Sequence, residues 1–142
     1  MRYDYHASCR YKRFLKGAIH LASKNFQDLI VWQKAMKLVK EIYVLVKSLP
    51  NEERYALSDQ MRRAAVSIPS NIAEGQGRNT DKEFIQFLHV AKGSNAELLT
   101  QILICVDLGY LKREQVKSAL QLNRETGQLL TALIKSLRQK LF

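Results

Sequence analysis

Residues 62–75, RRAAVSIPSNIAEG, combine the apolar spacing of a helix with a proline in the middle of the stretch. Pro69 has no N–H, so in a helix the carbonyl of Ala65 loses its usual partner. The hydroxyls of Ser67 and Ser70 flank the proline, and nearby hydroxyls can stabilise a kinked helix. Wound at about 100° per residue, one face of the stretch is apolar. That face consists of Met61, Ala64, Ala65, Ile68 and Ile72.

Two structures fit this pattern. A first helix can end at Ile68 with a second beginning at Ser70, or one helix can continue through the proline with a kink. Because the apolar spacing continues through Ile72, the pattern favours the single helix kinked at Pro69. Small side chains within it should let neighbouring helices approach closely. They are Ala64, Ala65, Ser67, Ser70 and Ala73.

Length and composition indicate one folded domain. The chain has 142 residues, of which 46% are apolar, enough for a substantial core. It contains no run of about 18 apolar residues, so no membrane span is predicted. Cys9 and Cys105 lie far apart, and Cys105 falls in an apolar helical stretch. We therefore expect a packed free thiol and a cytoplasmic protein rather than a disulfide framework.

The formal net charge of +10 favours a polyanionic partner, such as nucleic acid or an acidic protein. About half of the excess charge lies in residues 1–25. This segment lacks the continuous apolar region of a secretory signal. Its spacing also fits a basic amphipathic helix, but we favour a loosely ordered N-terminal extension. The predicted organisation is an extension over residues 1–25 and a helical domain over residues 26–142.

Four long helices with short connections predict an all-α, antiparallel up-down-up-down four-helix bundle, with the second helix kinked at Pro69. Pro50 and Asn51 separate the first two helices, with Asn51 as the expected cap. Thr80 is the expected N-cap, with Glu83 completing a capping box, and Gly109 ends a helix. The expected helices span about residues 28–48, 54 to 75 or 77, 81–108 and 112–141.

Three features of the later helices predict specific packing. Asn95 falls in the middle of the apolar face of the third helix, where a buried amide needs a hydrogen bond. Gly93 and Ser94 should permit a close helix crossing. Asn123 lies in a heptad seam of the fourth helix and is expected to set its register. The partner expected for Asn95 is Ser67, Ser70 or Asn71 on the second helix.

The first helix carries an apolar arc of roughly half its circumference, wider than the stripe of about 100° needed to contact one core. This width predicts a second packing surface against another subunit. The opposite side is basic and is ordinarily a solvated face. It would become a nucleic-acid surface once several copies assemble. Its residues are Lys34, Lys37, Lys40 and Lys47.

No constellation of residues indicates catalysis. The histidines are His6, His20 and His89, and none has the spacing of a zinc or di-iron site. Gly75-Gln76-Gly77 lacks the lysine and hydroxyl of a phosphate loop. Caps and salt bridges are the expected roles of Glu74, Asp81, Glu83 and Glu97. We therefore predict neither an enzyme nor a metal or cofactor site.

Four segments resemble the 23S rRNA intervening-sequence family of four-helix-bundle proteins. They are FQDLIVWQKA at residues 26–35, SIPSNIAEG at 67–75, FIQFL at 84–88 and GSNAEL at 93–98. The accessory protein of diversity-generating retroelements belongs to the same group; it is basic and binds nucleic acid and a reverse transcriptase. The resemblance implies a homopentamer of antiparallel bundles without catalytic activity.

The resemblance also suggests roles for individual residues. The polar residues of the matching segments should hold the second and third helices together: Ser70, Asn71, Glu74, Ser94, Asn95 and Glu97. The candidates for phosphate contact are Lys34, Lys37, Lys40, Lys47, Arg62, Arg63 and Arg78. The predicted function is nucleic-acid binding by a basic oligomer. The alternative is a protein-interaction scaffold, or an accessory subunit of a reverse transcriptase, that does not itself bind nucleic acid.

Overall fold

The computed structural model describes residues 25–141 and folds them into four long helices. These are α1 (Ile30–Leu45), α2 (Leu57–Gln76), α3 (Asp81–Asp107) and α4 (Arg113–Lys140). Short 3₁₀ turns occur at Phe26–Asp28, Val46–Ser48 and Asn51–Glu53. No strand occurs between residues 25 and 141, which confirms the all-α four-helix class. The predicted extension lies outside the described residues, apart from Asn25.

Each helix packs on the next one in the chain, and α1 also packs on α4. Contacts between α2 and α3 show their relative direction. Ser67 bonds Ser94, whereas Gly75, further along α2, lies against Phe84, near the start of α3. These two helices are therefore antiparallel. Helices α1 and α4 are antiparallel as well, because Lys34 contacts Glu125 while Glu41, later in α1, contacts Ser118, earlier in α4.

The core forms where the apolar faces of the four helices meet. The whole predicted face of α2, from Met61 to Ile72, is buried. Trp32 lies on the apolar side of α1 and is half-buried. The ring of Phe26 packs edge-on against it at 5.4 Å between centroids. The 3₁₀ turn that precedes α1 therefore covers part of the surface that the sequence assigned to another subunit, and Tyr43 and Val44 stay exposed.

The α2 helix continues without a break through Pro69, which is buried within it. The structure thus has the single helix rather than one that ends at Ile68. The hydroxyl of Ser70 donates to the carbonyl of Val66 at 2.8 Å, one helical turn earlier. This bond goes to the carbonyl next to that of Ala65, so it does not replace the bond lost at Pro69, and bonds of this kind often bend a helix. The predicted kink at Pro69 stays a prediction.

The start of α2 differs from the prediction. The residues after Pro50 form a 3₁₀ turn, and α2 begins only at Leu57, not near Arg54. Glu53, rather than Asn51, caps the start of α2. Its Oε2 accepts a hydrogen bond from the backbone N–H of Leu57, the first residue of the helix, at 3.2 Å. Its Oε1 accepts from the hydroxyl of Tyr110 at 3.1 Å, and this bond is the main reason that the pKa of Tyr110 is raised. Glu53 therefore ties the start of α2 to the loop after α3.

Both ends of α3 have the predicted cap residues, but the Glu83 carboxylate bonds the hydroxyl of Thr80 and not its backbone N–H, so the capping box is incomplete. Thr80 Oγ1 accepts from the backbone N–H of Glu83 at 3.2 Å, and its hydroxyl donates to the Glu83 carboxylate at 2.9 Å. At the other end, Gly109 has a φ of 75°, a conformation that side chains with a Cβ rarely adopt. This turn lets the N–H of Tyr110 reach the carbonyl of Cys105 at 2.9 Å, which closes the helix in a Schellman arrangement.

The predicted partner of Asn95 is wrong. Its amide faces α4 rather than α2, and Asn95 Nδ2 donates to the carbonyl of Asn123 at 2.9 Å. Asn123 returns two bonds from its own Nδ2, to the carbonyl of Asn95 at 2.8 Å and to its Oδ1 at 3.0 Å. Both residues are buried. The pair fixes the alignment of α3 with α4, the register role expected of Asn123 alone.

The predicted close helix crossing is correct for Ser94 and wrong for Gly93. Gly93 is exposed, and a Cβ built on it would meet nothing within 4 Å. The tight position is Gly75, where a Cβ would lie 2.6 Å from Cβ of Phe87 and 2.9 Å from Cδ2 of Phe84. Ser94 does take part in the crossing of α2 and α3, since its hydroxyl lies 2.8 Å from that of Ser67.

Cys105 is a buried free thiol on α3, as predicted, and its sulfur lies 3.5 Å from Sδ of Met61. Burial, and secondarily the negative charge of Glu53, raise the pKa of this thiol from 9.0 to about 11. The thiolate is the reactive form of cysteine, so this thiol should be inert towards alkylating reagents while the protein is folded.

The raised pKa of Cys105 predicts a loss of stability in alkali. Between pH 9 and pH 11 the thiol of the unfolded chain ionises while that of the folded chain keeps its proton. The free energy of unfolding should therefore fall by about 1–2 kcal/mol as the pH rises through this window. Urea unfolding at pH 8.5, 10 and 11 measures it. In Cys105→Ala the free energy of unfolding should fall less over this pH range. If it falls equally with pH in both proteins, the prediction is wrong.

Candidate nucleic-acid interface

The basic side of α1 divides into two parts. Lys34 forms an ion pair with Glu125 of α4 at 2.8 Å, so it is not the freely solvated lysine that the sequence predicted. Burial alone would raise the pKa of Glu125, but bonds from Lys34 and Gln121 outweigh it and lower that pKa. The other three lysines are exposed and have no hydrogen-bond or ion-pair partner among residues 25–141. They are Lys37, Lys40 and Lys47.

The three candidate arginines already bond other parts of the chain. The bonds join Arg63 to Asp59 at 3.0 Å, Arg78 to Glu74 at 2.6 Å and Arg62 to the carbonyl of Arg54 at 3.3 Å. The guanidinium of Arg78 also lies over the ring of Phe87, 4.8 Å from its centroid. These arginines would have to share or exchange their partners in order to bind a phosphate.

The six polar residues expected to join α2 and α3 do not act as one group. Asn71 and Ser94 do so through Ser67: Asn71 Nδ2 donates to Ser67 Oγ at 3.0 Å, and Ser67 bonds Ser94. Asn95 instead joins α3 to α4. The remaining three are exposed and bond residues of their own helix or of the loop that follows it, contrary to the prediction. They are Ser70, Glu74 and Glu97, which bond Val66, Arg78 and Gln101.

A basic groove runs between α3 and α4, and none of the predicted phosphate contacts lies in it. It consists of two hollows of about 630 and 520 Å³ that share Lys92, Thr131 and Lys135. We call their combined lining the α3–α4 groove. Neither hollow is lined by an aspartate or glutamate. The residues that complete the first hollow are His89, Ile134, Arg138 and Gln139. Those that complete the second are Asn95, Ala96, Leu99, Asn123, Arg124, Gly127, Gln128 and Ala132.

The cations of this groove come from two helices. Lys92 belongs to α3 and Lys135 to α4; both are exposed and neither has a hydrogen-bond or ion-pair partner in the part of the chain that the structure describes. Arg138 Nη2 lies 2.9 Å from Nε2 of His89. Because a guanidinium only donates, the imidazole nitrogen is the acceptor. His89 therefore holds the guanidinium at one end of the groove.

Sequence reasoning missed this groove because its residues are far apart in the chain. Along α4 the spacing was visible: Arg124, Gln128, Thr131, Lys135 and Arg138 follow one another at intervals of four and three residues, a stripe along one side of a helix. The sequence does not show which helix packs beside that stripe. Only the packing of α3 beside α4 places Lys92 opposite Lys135.

The described part of the chain has neither a cluster of metal-ligating side chains nor a helix that could span a membrane. No three His, Cys, Asp or Glu side chains between residues 25 and 141 are close enough together to hold a metal ion. Over the same residues, none of the helices has a long enough apolar stretch to pass through a bilayer.

Comparison with known proteins places the fold in a family. No curated protein matches the chain. A solved structure that matches is a protein of unknown function from the S23 ribosomal protein family of Bacteroides thetaiotaomicron, 29% identical, with a TM-score of 0.69. The match covers 75% of this chain and 99% of that one. The model of the family described as 23S rRNA-intervening sequence protein matches residues 27–132, which include α1, α2, α3 and most of α4. With its helical bundle, the chain thus belongs to the 23S rRNA-intervening sequence protein family.

Proposed function

We propose that the protein is a non-catalytic, cytoplasmic oligomer that binds nucleic acid through phosphate contacts. The observation that supports this most directly is the set of exposed lysines without intramolecular partners. On α1 and in the α3–α4 groove, five such side chains have no hydrogen bond or ion pair with any residue from 25 to 141: Lys37, Lys40, Lys47, Lys92 and Lys135. An unneutralised basic surface attracts polyanions by counterion release.

Contacts to phosphate fit this surface better than contacts to bases. No Phe, Tyr or Trp lines the α3–α4 groove, so it lacks a platform on which bases could stack. Lysine ammonium groups bind phosphates as point charges and carry little sequence information. We therefore propose binding that depends strongly on salt and only weakly on sequence.

The proposal includes assembly into a ring, with five subunits suggested by the resemblance described above. Its physical support is the apolar surface that stays exposed on one chain. Leu103 and Ile104 of α3 are 47% and 40% exposed, and Leu108, which follows α3 one helical turn after Ile104, is 57% exposed. Apolar surface of this kind commonly marks a protein interface. Assembly would bring the lysines of several subunits onto one particle.

Titration of labelled RNA and DNA with the full chain tests the proposal. We expect both to bind at 50 mM salt and the affinity to fall at least about tenfold at 200 mM, because each phosphate contact to single strands contributes about −0.7 to the salt slope. A variant with Arg10, Lys12, Arg13 and Lys16 changed to Gln serves as control for the basic N-terminal segment. If this variant no longer binds at 50 mM, the helical domain is not the binding element and the proposal fails.

The exposed apolar residues of α3 support a second candidate function. They would suit a protein partner, and the protein would then be an interaction scaffold or an accessory subunit, for example of a reverse transcriptase. A pull-down with the product of a neighbouring gene distinguishes the two functions. A complex that forms equally well after nuclease treatment and at high salt would favour the scaffold over nucleic-acid binding.

A further inference from the structure

We infer that the phosphate backbone of a nucleic-acid strand binds in the α3–α4 groove, and that the lysines of α1 contribute little. This inference rests on the proposed function and assigns its site. Both surfaces present exposed lysines, so exposure alone does not distinguish them. The difference lies in how the cations are arranged and in what surrounds them.

The groove concentrates cations from two helices around one concave path. Lys92 and Lys135 each line both hollows, so they flank the same space from opposite helices. The α1 lysines lie on a single convex helix, and Glu41 is on the same helix. A concave surface of one sign of charge focuses the field more strongly than an isolated convex one. The groove is the stronger attractor for a phosphate.

The length of the groove suits several phosphates. The α4 stripe from Arg124 to Arg138 spans about 21 Å at 1.5 Å per residue. Successive phosphates of one strand are at least about 3.4 Å apart along a duplex axis, so a stripe of this length can meet more than one of them. The hydroxyl of Thr131 and the amide of Gln128 also line the groove. Both can donate hydrogen bonds to phosphate oxygens between the cations.

Arg138 is already held in place at one end of this path. Its bond to His89 restrains the guanidinium without neutralising it, since the acceptor is a ring nitrogen and not a carboxylate. The candidate arginines Arg63 and Arg78, by contrast, are paired with carboxylates. Arg138 therefore keeps its full charge for a phosphate, whereas those two arginines do not.

The test compares two double variants of the full chain that remove the same charge. Lys92→Ala/Lys135→Ala removes groove lysines, and Lys37→Ala/Lys40→Ala removes α1 lysines. With a 20-nucleotide RNA at 0.1 M salt, we expect the groove variant to bind at least about 20-fold more weakly and the salt slope to fall by about 1.4, from two contacts at about 0.7 each. The α1 variant should change affinity less than about threefold.

The outcomes separate this inference from the proposed function. If wild-type protein binds RNA and the two variants lose affinity equally, general charge and not the groove is responsible, and the inference fails. If neither variant loses affinity, it fails as well, although the proposed function stands. If wild-type protein binds no RNA, both the inference and the proposed function fail. Binding to phosphatidylglycerol vesicles or polyglutamate that depends on Lys92 and Lys135, without RNA binding, would assign the groove to another polyanion and overturn the inference.

Discussion

Replacing Asn95 by alanine should lower the free energy of unfolding by about 2–3 kcal/mol, because two buried hydrogen bonds of its side chain are lost and a small cavity forms. Asn123→Ala should cost a similar amount. It removes both bonds donated by Asn123 Nδ2 and leaves Oδ1 of Asn95, which is buried, without that donor. Urea unfolding at constant protein concentration measures both changes, since the stability of an assembling protein depends on concentration.

The double variant shows whether the two amides act as a pair. In a protein that already lacks the Asn95 side chain, replacing Asn123 breaks fewer hydrogen bonds. The double variant should therefore be about 1 kcal/mol more stable than the sum of the two single effects implies. Ser70→Ala is a suitable comparison, because Ser70 is exposed and bonds only within its own helix. Additive effects, or single effects no larger than that of Ser70→Ala, would contradict a register-setting role for the pair.

Gly75→Ala should destabilise the protein by about 2–3 kcal/mol through overpacking. The new methyl group would lie 2.6 Å from Cβ of Phe87, an atom that moves only together with the backbone of α3. Helices α2 and α3 would have to separate, and the contacts around the Ser67–Ser94 bond would loosen. Thermal and urea unfolding measure the change.

Gly93→Ala is the matched control, since the same substitution is made on α3 at a position with open space around it. It should stabilise the protein by about 0.5–1 kcal/mol, because alanine favours a helix more than glycine does. The two substitutions should therefore have opposite signs. Equal effects would show that helix propensity, and not the close approach at Gly75, governs both positions.

The helices and their ends were largely predictable because local chemistry determines them. Thr80 and Gly109 act through bonds within a few residues, and the structure has both caps where the sequence predicted them. The start of α2 was not predictable in this way. Its first N–H is bonded by the carboxylate of Glu53, and that carboxylate is also held by Tyr110, 57 residues away.

The predictions that were wrong concern which neighbouring helix a side chain contacts. Periodicity shows that Asn95 points inward, but α3 has neighbours on two sides, and the amide meets α4 instead of α2. For the same reason the sequence assigned close packing to Gly93 rather than Gly75. The α3–α4 groove depends on this same adjacency, so Lys92 and Lys135 were not recognised as candidates.

Sedimentation velocity of the full chain with labelled RNA, observed at separate wavelengths for protein and RNA, tests the account most directly. The account predicts a particle several times the mass of the 16.4 kDa chain that carries RNA at 50 mM salt and releases it at high salt without dissociating. A 16.4 kDa monomer, or an oligomer from which RNA sediments separately at 50 mM salt, would contradict it.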